Sequence, residues 1–200
     1  MNNFSLKSYL TSNLNLPEDD MHLIQSSCNI REYAKGDFLL QKGAHCTHAF
    51  FVESGLLRQY ITDGKGKEHI LNFAPESWFV TDTESVYLNE PSAFAIQALE
   101  STRVALIDDK LIRRLEDAFP QFRNFNNLLL HHTIQALQSR VLMLMSLSAD
   151  ERYLSFIETY PDILLRVPQT MVASYLGITP ESLSRIRKEL ARQNFNPLRS

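Results

Sequence analysis

Residues 169–192, QTMVASYLGITPESLSRIRKELAR, constrain this chain more than any other stretch, because they read as two helices crossing at a tight turn. Gln169–Leu176 is the first helix, Gly177-Ile178-Thr179 the turn and Pro180–Arg192 the second helix. Thr179 suits an N-cap, Pro180 has the fixed φ of a first helical position, and Glu181 and Ser182 suit the first turn. Gly177 stands where the chain leaves the first helix, a place that often needs positive φ. Ala173 is small where the two helices would cross closely. Val172, Leu176, Ile178, Leu183, Ile186 and Leu190 supply a shared apolar seam. The other face of the second helix presents Glu181, Ser182, Arg185, Lys188, Glu189 and Arg192. One stripe packed and the opposite stripe free for a DNA groove is the construction of a recognition helix. An ordinary helical hairpin with a solvated charged face would not require small residue, turn glycine, cap and seam together.

The formal net charge of -3 looks wrong for a DNA binder until it is split along the chain. Residues 181–200 hold Arg185, Arg187, Lys188, Arg192 and Arg199 against Glu181 and Glu189, a net +3, so the remainder carries -6. A basic end on an acidic body confines phosphate attraction to one element. At 44% apolar and 22% charged residues the chain reads as globular rather than disordered. No stretch approaches the length of an apolar membrane span. The N-terminal MNNFSLKSYLTSNLN lacks the apolar run of a secretory leader, so a cytoplasmic protein is expected. Cys28 and Cys46 match no metal or redox spacing and are expected to be reduced thiols. Two cysteines cannot hold a four-thiolate iron–sulfur cluster within one chain.

Between about 30 and 108 short apolar runs alternate with turns. The runs are 38–40, 49–52, 56–61, 69–73, 94–98 and 103–107; the turns include Gly36-Asp37, Lys42-Gly43, Ser54-Gly55 and Asp63–Gly66. That spacing predicts a small antiparallel barrel or sandwich, with Asp63–Gly66 at a hairpin tip. A helix from Glu18 to Cys28, begun by Pro17, precedes it. Asp108-Asp109 caps a short helix through Asp117, and Pro120 starts a long helical region. Leu130, Ile134, Leu137, Val141 and Leu144 advance by alternating fours and threes, a heptad-like stripe. One helix from about 121 to 146 would be ~39 Å long at 1.5 Å per residue. Part of such a helix is expected to pair with a second copy of itself, core packing within one chain being the alternative. Ser148 and Glu151 form a capping box for the next helix, which Pro161 ends. The fold class is therefore α+β, divided as 1–118 (β-roll with flanking helices), 119–146 (long helix) and 147–200 (helix-turn-helix).

This order of parts, and GITPESLSRIRKEL most specifically, resembles the CRP/FNR family of bacterial transcription regulators over nearly the whole chain. Gly36, Gly43, Gly55 and Gly64 fall where the family's cyclic-nucleotide-binding-type β-roll turns. ERYLSFIETYP and VPQTMVASYLGITPESLSRIR are similar to the branch common in Bacteroidetes-type bacteria. The resemblance implies a homodimer on a palindromic duplex, with RNA polymerase as a further partner. Two-fold symmetry itself demands half-sites about one turn, ~34 Å, apart. In family members that read a G-rich half-site the recognition helix starts Arg-Glu, with a second Arg four residues after the Glu. Here Glu181 and Arg185 match and Pro180 replaces the first arginine, which implies a different half-site. Glu181 can accept from a cytosine amino group and Arg185 can bond a guanine bidentately, unless Arg185 bridges back to Glu181. Arg187 and Lys188 suit phosphates or the groove edge; Gln169, Thr170 and Thr179 suit phosphates from helix ends. Winged members continue with a β-hairpin, and Gln193–Ser200 is too short for one, so a truncated or absent wing is expected.

Cyclic-nucleotide binders of this fold carry Gly-Glu, then Arg-Ser or Arg-Thr about ten residues on. Here Thr81-Asp82 and Pro91-Ser92-Ala93 stand near those places, so the phosphate-binding arginine is missing. A phosphate would lose a charge-assisted bond and meet Asp82. The effector-pocket candidates Thr81, Asp82, Ser92 and Ala93 thus argue against a cyclic nucleotide. They leave another small molecule, or a filled barrel with Trp78, Phe79, Tyr87 and Phe94 as core. No cofactor is expected; His45, His48, His69, His131 and His132 are the histidines a haem would need to recruit. No GxSxG, HExxH, P-loop or Rossmann signature marks an enzyme. The reading is a homodimeric DNA-binding regulator with an unidentified effector. The alternative is a sensor acting through a protein partner.

Overall fold

The computed structural model of the protein describes residues 4–14 and 29–194. In chain order the elements are α1 (Leu6–Leu14), β1 (Asn29–Tyr33), β2 (Phe38–Leu40), β3 (Ala49–Ser54), β4 (Leu57–Thr62), β5 (Glu68–Ala74), β6 (Phe79–Val80), α2 (Thr83–Leu88), β7 (Ala95–Ala98), β8 (Thr102–Ile107), α3 (Asp109–Ala118) and α4 (Pro120–Ser146). There follow α5 (Ala149–Thr159), α6 (Ile163–Arg166), α7 (Gln169–Leu176) and α8 (Pro180–Asn194). They group into two compact units, Met1–His131 and His132–Ser200, with the division inside α4.

The first unit is built on two four-stranded antiparallel sheets, ordered β1-β8-β3-β6 and β2-β7-β4-β5. Strand side chains alternate faces, which sorts β3 and β8 into two cores. Phe50, Val52, Val104 and Leu106 point between the sheets, with Leu40, Leu57 and Ile96 from the second sheet. Their neighbours Phe51, Ala105 and Ile107 point outward, under Leu6 and Leu10 of α1, Leu111 and Leu115 of α3, and Phe119 and Phe122. Both faces are covered, so these strands read as continuous apolar runs rather than alternating ones. β4 and β5 pair from Leu57↔Ala74 to Thr62↔Glu68, which makes Asp63–Gly66 the tip of a hairpin. Asp63 accepts from the Lys65 and Lys67 N–H groups and from His69; His69 first and those amides next hold its carboxyl down to about 2.

The expected runs at 38–40, 49–52, 56–61, 69–73, 94–98 and 103–107 all carry strand, and further elements are present. α1 was not foreseen, although Leu6, Leu10 and Leu14 are spaced at fours and buried, and Ser5 caps it by accepting the Ser8 N–H. β1, β6, α2 and α6 were not foreseen either. β1 is polar (NIREY) and lies at a sheet edge, paired with β8 alone among the described strands, so it lacks an apolar signature. The expected helix 18–28 lies outside the described residues, as do Cys28 and the tail where a wing would follow.

In the second unit the Ser148–Glu151 capping box forms with both of its bonds. Tyr153 and Phe156 of α5, Tyr160, Ile163, and Val172, Ala173, Tyr175 and Leu176 of α7 close a core with Leu183 and Ile186 of α8. Tyr175 packs against Phe156 with tilted rings (5.2 Å) and meets Tyr160 edge-on (5.7 Å). α4 is different: of its 27 residues Phe122 alone is buried. Among the described residues no helix is long and apolar enough to cross a membrane.

Gly55 closes the β3–β4 corner at φ +93, and a Cβ there would lie 2.5 Å from Thr102 Oγ1 and 2.6 Å from the Ser101 carbonyl oxygen. Gly36 has a similar φ, +94, with nothing within 4 Å. In urea denaturation Gly55→Ala should therefore cost about 3 kcal/mol or more, clash adding to strain. Gly36→Ala should cost only about 1 kcal/mol, the strain alone.

Candidate nucleic-acid interface and sensor cassette

The turn between α7 and α8 is made as its residues suggest. Gly177 adopts the left-handed conformation, φ 67, and returns its N–H to the Ala173 and Ser174 carbonyls. Thr179 caps α8 by accepting the Ser182 N–H at 3.2 Å, and its hydroxyl faces Ser182 Oγ at 3.2 Å. Ala173 is 1% exposed, which lets the helices close on one another. Val172, Leu176, Leu183 and Ile186 of the seam are buried, and Ile178 and Leu190 are half-buried.

The opposite face of α8 is open. Glu181, Ser184, Arg185, Lys188, Glu189 and Arg192 are all exposed. Their helical spacing puts Glu181, Ser184, Arg185, Lys188 and Arg192 on one stripe. Among the described residues none of Arg185, Arg187, Lys188 and Arg192 forms an ion pair. The Arg185–Glu181 bridge, the competing use of that spacing, is not formed. Glu181 is instead held by its own backbone N–H and then by the Thr179 hydroxyl, which keep its carboxyl below the usual range. Arg187 is half-buried and, two residues beyond Arg185, turns off the stripe. Ser182 is half-buried and occupied by the cap, so the free hydroxyl beside Glu181 and Arg185 is that of Ser184, a residue the sequence reading passed over. Its place three residues after Glu181 was the available signal. Gln169 and Thr170 are exposed in the first turn of α7, whose N-cap, Pro168, supplies no side-chain acceptor. Their N–H groups are left to solvent or an anion.

The other end of α7 is closed from two directions. Its last four carbonyls need donors from beyond the helix. Ala173 and Ser174 receive the backbone N–H groups of the turn. Tyr175 receives Arg140 Nη2 of α4 at 2.6 Å, and Leu176 receives Arg152 Nη1 of α5 at 2.7 Å. The Arg140 guanidinium also lies 3.6 Å from the centre of the Tyr175 ring.

In the β-roll, the four candidate pocket residues are not equivalent. Asp82 is 4% exposed and caps α2: one carboxylate oxygen accepts the Ser85 N–H at 3.2 Å, the other the Ser92 hydroxyl at 2.5 Å. Ser92 Oγ takes the Phe94 N–H, and Ser85 Oγ takes the Cys46 N–H. Thr81 donates to the His48 carbonyl, while its own carbonyl accepts from Gln59 Nε2. Ala93 is exposed and outside this network. Of the aromatics expected in the core, Tyr87 is 64% exposed, because α2 turns it to solvent. Phe79 is packed, 4.8 Å from the Phe51 ring centre. Among the described residues no cluster of three or more His, Cys, Asp or Glu side chains is arranged for a metal.

Comparison with known proteins agrees with this architecture. Residues 30–118 match the family model of the cyclic nucleotide-binding domain. The chain is 30% identical to the transcriptional activator protein FnrA of Stutzerimonas stutzeri over 172 residues, 78% of this chain and 68% of that protein. It is 28% identical to the transcriptional activator protein Anr of Pseudomonas aeruginosa over 171 residues, again 78% of this chain and 68% of the relative. Among solved structures, FixK2 from Bradyrhizobium japonicum superposes with a TM-score of 0.72 at 18% identity, covering 84% of this chain and 86% of that one. The chain belongs to the CRP/FNR family: it is a transcription regulator with a cyclic-nucleotide-binding-like sensor domain.

Residues 81–93 include no Lys or Arg that could meet a phosphate. The cassette presents a buried carboxylate whose oxygens are already bonded, where a phosphate needs a cation. Asp82→Ala should therefore act on stability, lowering it by about 3 kcal/mol in urea denaturation through loss of two bonds to a charged acceptor. Cyclic AMP should leave the wild-type midpoint where it is, since only a ligand that binds the folded state raises it.

Proposed function

We propose that two copies of this chain pair along α4 and read a two-fold symmetric duplex with the exposed stripe of α8. The observation that carries the reading is a capped, seam-packed α8 whose Arg185, Lys188 and Arg192 are exposed and, among the described residues, free of ion pairs. Arg185 then serves as the bidentate donor to a guanine, with Glu181 and Ser184 beside it as acceptor and hydroxyl for neighbouring base edges. Lys188 and Arg192, and the first-turn amides of Gln169 and Thr170, contact phosphates. Thr179 and Ser182 hold the start of α8, and Arg187 reaches phosphate only from the flank.

Pairing is supported by Leu130, Ile134, Leu137, Val141 and Leu144, which are 41–55% exposed along one side of α4. Burying such half-exposed side chains is worth about 1 kcal/mol each. The parts then divide as 1–118 for sensing, 119–146 for pairing and 147–200 for DNA. The effector, if the roll takes one, is not a cyclic nucleotide. The reading implies a cytoplasmic protein that meets RNA polymerase at the promoter.

Selection on random duplexes, followed by binding at several salt concentrations, tests it. Arg185→Ala should relax preference at one position per half-site and weaken the best site by about 1–3 kcal/mol. Lys188→Ala should weaken all sequences alike and lower the salt slope by about one for each phosphate no longer neutralised. Unchanged preference and slope in both variants would sink the assignment. Ile134→Asp puts a carboxylate into the stripe of each chain and should give monomers in sedimentation without lowering thermal stability of the monomeric fold.

A further inference from the structure

The second unit contains an arginine pair whose placement goes beyond holding a fold. Arg140 lies on α4 and Arg152 on α5, and each caps one of the last two carbonyls of α7. Arg140 does so with its guanidinium carbon over the Tyr175 ring, 3.6 Å from the ring centre, so the side chain is held at two points. Yet Arg140 Nη1 and Arg152 Nε are buried with no hydrogen-bond partner among the described residues. Unpaired buried donors are destabilising. A stability device alone does not account for them.

Arg140 is also the immediate neighbour of Val141, a member of the exposed apolar stripe that is 55% exposed. The same turn of α4 thus presents Val141 to a pairing surface and Arg140 to the end of α7. Leu144, one turn on and also in the stripe, lies 3.6 Å from where a Cβ on Gly177 would stand. From α7 the seam runs directly into α8.

We infer that Arg140 is a positioning residue: it sets the angle of α7 and α8 against the pairing helix, and so the distance between the two recognition helices of a dimer. The inference rests on the proposed DNA-binding dimer and adds a determinant of half-site spacing that no base-contacting residue supplies. Loosening the joint leaves each half-site read as before but lets the two readers stand at more than one separation.

The test is a duplex selection in which two half-sites recovered with the wild-type protein are separated by every spacing across one helical turn. Sedimentation and thermal unfolding of each variant are measured alongside. The wild-type chain should favour one spacing. Arg140→Met should remain a dimer, keep the same half-site bases and bind the favoured spacing roughly tenfold more weakly. It should also accept neighbouring spacings almost as well. Arg140→Lys keeps a cation for the Tyr175 carbonyl but not the guanidinium over the ring, so it should fold readily and broaden the profile partially. A purely structural role would lower the unfolding midpoint and leave the spacing profile sharp. A sharp, unshifted profile in Arg140→Lys, or in a folded Arg140→Met, overturns the inference. If the wild-type chain enriches no duplex at all, the DNA-binding reading fails first and the inference falls with it.

Discussion

The proposed assembly depends on a helix that the described residues of this chain leave largely uncovered. α4 spans ~40 Å at 1.5 Å per residue, and only Phe122 among its residues is buried. The apolar stripe from Leu130 to Leu144 is left exposed along it. Exposed apolar patches of this regularity mark interaction surfaces. The proposed pairing satisfies the stripe and, by symmetry, gives two recognition helices related by a two-fold axis.

A second constraint is the fate of polar groups at helix ends. Thr179, Ser148, Asp108 and Asp82 each cap a helix through a side-chain acceptor. At α7 the N-terminus lacks such an acceptor and the C-terminus takes two arginines from elsewhere in the unit. The open end suits a phosphate, and the closed end ties the helix to α4. Asp82 shows the same economy in the roll: its carboxylate is consumed by Ser85 and Ser92. It braces the start of α2 against the turn at Ser92.

Much of this was legible in the residues, and unevenly so. The helix-turn-helix was readable because cap, glycine, small residue and seam are all local signals, and each is realised where it was expected. The pattern of roll strands was readable from turns, but β1 and β6 were not, since a polar edge strand and a two-residue strand carry no periodic signature. α1 was hidden because a polar start masked its three spaced leucines. At the site, Arg185 and Lys188 were identifiable as exposed basic residues on the second helix. Ser182 and Ser184 could be told apart only when the cap was seen to use Ser182. The internal bonding of Asp82 was out of reach of sequence, because its partners Ser85 and Ser92 reach it only after α2 and the following turn have folded. The Arg140–Tyr175 contact, 35 residues apart in the chain, was hidden for the same reason.

The central claim is that DNA is read by two chains joined along α4, and stoichiometry tests it most directly. Native mass spectrometry should be recorded for the protein mixed with a selected palindromic duplex and with a duplex carrying one half-site. Two chains on the palindrome, with a much weaker complex on the half-site, is the result this account predicts. One chain per duplex at equal strength on both, or no complex with either, would contradict it.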